Sequence, residues 1–267
     1  MNVIPLSLTD LSIAASLVLM LAGLTFYQGT GQARPLLIAA ARTVLQLSLL
    51  GLVLDIIFGA SRWYWILAVM LMMALVAGHE VNARQNRPFS GWMGYGLGTA
   101  SMFISTFSVL MLTLKVIVQP QPWFQPQYAI PLFGMLLGNS MTGIALALDR
   151  LTDGAYRQRS LIEARLMLGQ TAKEAIQGLR IEALRSGLMP ITNAMAAAGV
   201  VSIPGMMTGQ ILGGSPPLEA ARYQILIMFL IAAASGVGTV IATTLGGRRL
   251  FDDRQRLRLE RLRPVKT

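Results

Sequence analysis

Apolar runs of about twenty residues recur from one end of this chain to the other, and few folds tolerate that. A bilayer core ~30 Å thick takes about 20 helical residues to cross, and every backbone N–H and C=O inside it must be paired within its own segment. Seven stretches of the 267 residues have that length: 8–28, 36–58, 63–82, 92–118, 129–148, 188–212 and 218–245. With 54% apolar and only 13% charged residues, the chain reads as one all-α polytopic membrane domain over residues 1–267. Residues 1–7 lack a basic segment and the first apolar stretch is too long for a cleavable leader, so it is expected to stay as a span.

A net charge of +10 would point to nucleic acid in a soluble protein; here it is a topology signal, and no nucleic-acid partner is expected. Lys and Arg concentrate in cytoplasmic loops. With the N-terminus outside and the C-terminus inside, all but four of the 22 basic residues fall on the inner side: Arg34, Arg84, Arg87, the series from Arg150 to Arg185, and the tail from Arg248 to Lys266. Arg62, Lys115 and Arg222 fall outside, and Arg42 lies within the second span. Asp55 and Lys115, near outer ends, are expected to be solvated.

Several chemistries are excluded at once. The chain has no cysteine, so it has no disulfide, thiolate metal site or Cys nucleophile, and its one histidine, His79, cannot build a multi-histidine centre. No GxxxxGK[ST] loop occurs, so this chain binds no nucleotide through such a motif, and any ATP and Mg would be held by another chain.

The inner connection 149–187 is the only sizeable polar stretch between spans, and Leu161, Ala164, Leu168, Ala172, Ala175, Leu179 and Ala183 recur through it at helical spacing. It is expected to be an amphipathic helical segment on the cytoplasmic side. The outer connection QPQPWFQPQY (119–128) reads as a stiff loop with aromatic residues at the headgroup level. The basic tail 246–267 is expected to be solvated.

Two spans echo each other. IPLFGMLLGN in the fifth and SIPGMMTGQ in the sixth share Gly-Met-x-x-Gly followed by an amide. Gly134 and Gly138, like Gly205, Gly209 and Gly213, are four apart and offer stripes for close helix packing. Packing does not require the polar partners Met135–Asn139 and Met206–Gln210, and Pro204 frees a carbonyl at membrane depth. The fifth and sixth spans run antiparallel in this topology, so Met135 and Met206 are expected at one depth. Met135, Asn139, Pro204, Met206, Met207 and Gln210 are therefore either a packing hinge or the lining of a translocation path. Most of the 16 methionines fill the core, and whether any binds a metal is left open.

Arg42 is the other anomaly, because an intramembrane guanidinium costs ~3 kcal/mol unless it is compensated. It either snorkels to the inner headgroups or pairs with Glu80, which lies at similar depth on the third span.

Taken together, IPLFGMLLGNSM, SIPGMMTGQILGG, AARYQILIM, ARTVLQL and IEARLMLGQTAKEA resemble the FetB family over residues 5–250. These are membrane subunits of bacterial ABC transporters linked to iron export, with plant relatives linked to aluminium tolerance. The resemblance implies a multi-pass permease of the bacterial inner membrane, surrounded by lipid, that pairs with a separate ABC ATPase as two copies of each. It implies no catalytic residue in this chain. Glu163, Ala164 and Gly169 match the spacing of the EAA-type loop that seats in an ABC ATPase, with Glu174 in the same segment; Arg165 replaces the second Ala of that pattern, and Pro190 lies further downstream than it would place it. The alternatives are an ion-coupled secondary carrier for a metal ion or small solute, and a structural assembly factor.

Overall fold

The computed structural model describes the backbone of residues 7–60 and 63–264. Among these it is all-helical, without a strand: α1 Leu8–Tyr27, α2 Ala33–Ala60, α3 Trp63–Ala83, α4 Gly91–Leu112, α5 Pro126–Arg157, α6 Arg159–Met167, α7 Ala172–Ala175, α8 Gln177–Ala197, α9 Gly205–Leu212 and α10 Pro217–Arg249. Arg62, Lys266 and the side chain of Asp55 lie outside the described residues.

Six helices among the described residues are long and apolar enough to cross a membrane: α1, α2, α3, α4 with its π-helical extension Thr113–Val118, α5 and α10. The chain is thus a multi-pass helical membrane protein. Local sequence sets their ends. Ser7 and Asp10 form a capping box on α1, and Pro126 and Pro217 occupy first turns, where a missing N–H costs nothing. Lys115 is exposed and stands over the Trp123 ring at 5.2 Å, in the Pro-rich connection that follows.

α5 is the axis of the bundle and packs against α3, α4, α8 and α10. Its 32 residues reach ~48 Å, well beyond a ~30 Å hydrocarbon core, so its last turns project from the membrane. Most buried hydroxyls are satisfied within their own helix: Ser101, Thr106, Thr152, Thr239 and Thr243 each donate to a carbonyl four residues back. The close crossing lies at Gly143 of α5 and Gly187 of α8, beside Thr239 of α10. A Cβ built on either glycine would sit 2.7 Å from the other's carbonyl oxygen.

α1 and α2 form a hairpin set apart from this bundle. Of the described α1 and α2 side chains, only Ala22 and Ile57 are buried.

Two expectations are corrected. The stretch 188–212 is not one helix: α8 stops at Ala197, the chain turns through Gly199 (φ +82°), whose N–H donates to the Ser202 carbonyl (2.9 Å), and α9 restarts after Pro204. The connection 149–187 is helical and comprises the end of α5, α6, α7 and the start of α8. The tail is not free either. Leu250, Phe251 and Leu262 are buried, the Ser90 N–H donates to the Arg261 carbonyl (2.7 Å), and the Arg263 N–H donates to the Pro88 carbonyl (2.9 Å). The apolar residues spaced through the tail dock it across the α3–α4 turn.

Candidate coupling segment and polar membrane face

The segment between α5 and α8 is a compact helical elbow. α6 ends in a Schellman turn: the Gly169 N–H donates to the Leu166 carbonyl (3.0 Å) and the Gln170 N–H to the Arg165 carbonyl (3.1 Å), with Gly169 at φ +87°. Only glycine adopts that conformation without strain, which accounts for Gly169 at the corner. α7 then starts with a second capping box. Glu174 turns its carboxylate back onto the Thr171 N–H (2.8 Å) and hydroxyl (2.7 Å), and those bonds hold its pKa below the ordinary range. Glu174 therefore fixes the corner. Arg165 staples the two short helices by donating from Nη1 to the Ala175 carbonyl (3.1 Å).

Glu163 accepts from Arg159 Nε (2.9 Å), and with Met167 and Gly169 it lines a groove of about 690 Å³. Arg254, Gln255 and Leu257 of the tail form the other wall, and the Gln255 side-chain oxygen accepts from the Ala172 N–H (2.7 Å). Ala164, half-buried, receives the Leu168 N–H (3.1 Å). Met167 and Leu168 at the tip are each 83% exposed, although the elbow lies beyond the long apolar helices. Such exposed apolar side chains mark a contact surface. Asp252 supports the tail wall: the Arg256 N–H (2.8 Å) and the Arg256 and Arg258 guanidinium groups converge on it and hold its pKa well below the usual carboxylate range.

Within the membrane, Arg42 Nη2 lies 2.8 Å from Glu80 Oε1, so the structure joins α2 to the bundle through this pair. The Arg42 side chain is nevertheless 53% exposed, and Gln46 one turn on is exposed as well. A second polar face lies on α5 and α8. Asn139 is exposed and donates to the Met135 carbonyl (2.8 Å), while Thr192 and Asn193 of α8 are exposed on the same side of the Gly143–Gly187 crossing. Sequence reasoning missed Thr192 and Asn193, although two polar residues inside LMPITNAMAA were a usable signal.

Pro204 caps α9, and Met206 and Met207 are half-buried on it. Gln210 carries a buried side-chain oxygen without a hydrogen-bond partner, as do Gln224 and the Ser140 and Ser235 hydroxyls. Polar atoms left this way at membrane depth invite water or a solute.

Within the single chain most of the expected glycine stripe meets no neighbouring helix. A Cβ on Gly138, Gly205 or Gly209 meets nothing within 4 Å, Gly213 approaches only its own helix, and Gly134 alone of the five meets another helix, at Met73 (3.2 Å). The break before α9 detaches its small-residue stripe from α5, and the close approach of α5 and α8 backbones falls at Gly143 and Gly187.

The profile of the Uncharacterised protein family (UPF0014) matches residues 8–251. The chain belongs to that family. A UPF0014 membrane protein of Synechocystis is 40% identical over 235 residues, covering 86% of this chain and 88% of the relative. The Arabidopsis thaliana protein ALUMINUM SENSITIVE 3 is 34% identical over 234 residues, 87% and 84% of the two chains. The Escherichia coli protein named "Probable iron export permease protein FetB" is 28% identical over 264 residues, 96% and 98% of the two chains. The FetB resemblance is therefore one of family. No solved structure matches the chain.

Proposed function

We propose that this UPF0014 protein is the membrane-spanning permease subunit of an ABC transporter, exporting iron or an iron-linked solute with ATP and Mg bound by a separate ATPase subunit. The observation that carries the proposal is the elbow. Its corner is fixed by Gly169 and two capping interactions, its tip exposes Met167 and Leu168 away from the lipid-facing helices, and it is built onto α5 and α8, which pack along one another. A stroke at the elbow would move both helices as levers. The iron assignment follows the printed name of the E. coli relative and the family; among the described residues no cluster of three His, Asp or Glu could hold a metal ion.

The proposed topology has seven crossings, with α8 as the sixth, the N-terminus outside and the elbow and tail in the cytoplasm of a bacterial inner membrane. Two copies form the transporter. In a monomer, lipid would face Gln46, Asn139, Thr192 and Asn193, which is unfavourable, whereas a second copy or a watery path between copies satisfies them. The path is proposed to run along Met135, Asn139, Pro204, Met206, Met207 and Gln210. Arg42 and Glu80 tie the α1–α2 hairpin to the bundle near its inner end.

The test is a Glu163→Lys, Gly169→Leu double variant in proteoliposomes with the ABC ATPase. It is expected to insert normally and lose ATP-driven transport; full transport in that variant would contradict the coupling role.

A further inference from the structure

A second cavity, separate from the elbow groove and the membrane face, opens where α10 meets the α7–α8 junction. Its volume is about 390 Å³, within the ~300–1,000 Å³ range of small-ligand sites. Lys173, Arg180 and Arg248 line it, and none of the three forms an ion pair among the described residues. The one carboxylate in the lining, Asp252, is already engaged by Arg256 and Arg258. Three cations thus face one cavity with no free counter-charge, an arrangement that favours an anion.

The remaining lining selects the kind of anion. Ile176 and Phe251 are buried apolar walls, and Thr244 adds a hydroxyl on the membrane side. The cavity is therefore amphipathic, unlike a site for a fully hydrated phosphate. Arg248 lies three residues past the apolar stretch 218–245, ~5 Å along the helix and so at headgroup level. Gly247 lets α10 come this close, because a Cβ there would sit 3.0 Å from Ile176 Cδ1.

We infer that this cavity binds the phosphate of an anionic phospholipid headgroup, with Lys173, Arg180 and Arg248 as its ligands and Ile176 and Phe251 against the glycerol backbone. Basic pockets between membrane helices use this chemistry. A bound headgroup bridges the α7–α8 junction to α10 and so steadies the segment that carries the elbow. The site stands whether or not the elbow contacts an ATPase.

The experiment is native mass spectrometry of the delipidated full chain in neutral detergent, titrated with phosphatidylglycerol or phosphatidylcholine. The wild type is expected to hold one phosphatidylglycerol at least about tenfold more tightly than phosphatidylcholine, whose phosphate is the same but whose choline cation would meet three like charges, a repulsion of roughly that factor. Lys173→Ala with Arg248→Ala should erase the preference, Arg248→Lys should keep most of it, and Arg185→Ala, which is exposed and outside the lining, should leave it unchanged. Gly247→Leu should block binding by filling the cavity, with all three charges intact. Inorganic phosphate that displaces the lipid at millimolar concentration would keep the site and make its occupant a soluble phosphate. Equal affinity for the two lipids, or equal losses in the Arg185→Ala and double variants, would overturn the inference.

Discussion

Replacing Gly187 by alanine adds one methyl group where α8 crosses α5 backbone against backbone. The new Cβ would lie 2.7 Å from the Gly143 carbonyl oxygen, 2.7 Å from Thr239 Cγ2 and 2.9 Å from Ala147 Cβ. Two of these contacts involve groups that cannot swing away, since one is backbone and another is a Cβ. α8 must then move off α5, and overpacking of this kind costs about 1–3 kcal/mol. At roughly 2–4 °C per kcal/mol for a chain somewhat smaller than this one, the melting temperature should drop by several degrees. Gly209→Ala is the matched control: it is helical, meets nothing within 4 Å, and should be neutral or stabilising by up to ~1 kcal/mol. The assay is thermal unfolding in detergent, with both variants expressed at wild-type levels. A Gly187→Ala protein that melts with the wild type, beside a Gly209→Ala protein that melts early, would refute the assignment of the seam to Gly143 and Gly187.

If Arg42 and Glu80 pair as the 2.8 Å contact indicates, Glu80→Ala should destabilise more than Arg42→Ala with Glu80→Ala together, with a coupling above ~1 kcal/mol in a double-mutant cycle; simple additivity would leave Arg42 snorkelling. Asp252, whose pKa is depressed, stabilises the docked tail above the ordinary Asp value of about 3.9, and that contribution is lost as pH falls below it. Asp252→Asn should accordingly expose Arg254, Arg256 and Arg258 to trypsin at neutral pH, and unchanged cleavage would argue against the clamp. Single cysteines at 135, 139, 206 and 210, in a chain with none of its own, should react with an impermeant thiol reagent in at least one nucleotide state if they line the path. If all four stay unlabelled throughout, the route lies elsewhere.

The long helices were legible because length and hydropathy alone define a bilayer crossing, and α1 to α5 and α10 follow the apolar stretches closely. The break at 198–204 was only half legible. Pro204 announced it, but the turn depends on Gly199 adopting a positive φ, and nothing around Gly199 distinguishes it from a packing glycine. The same limit hid the true seam. Gly143 and Gly187 are single glycines on two helices, and their meeting depends on rotations about the helix axes that a stripe within one helix does not encode. Arg42 and Glu80 could be matched from the sequence because each lay at a countable depth on neighbouring antiparallel spans. The tail could not: its docking rests on Leu250, Phe251 and Leu262 scattered among arginines, a pattern that charge alone reads as solvated.

The account stands or falls on what drives the flux. Proteoliposomes containing the chain and the ABC ATPase, supplied with radioactive iron(II) on the cytoplasmic-facing side, should transport it only with ATP and Mg, and a Walker-lysine variant of the ATPase should abolish transport. Iron movement by the chain alone that follows an imposed proton or sodium gradient and ignores ATP would contradict the account and make the protein a secondary carrier.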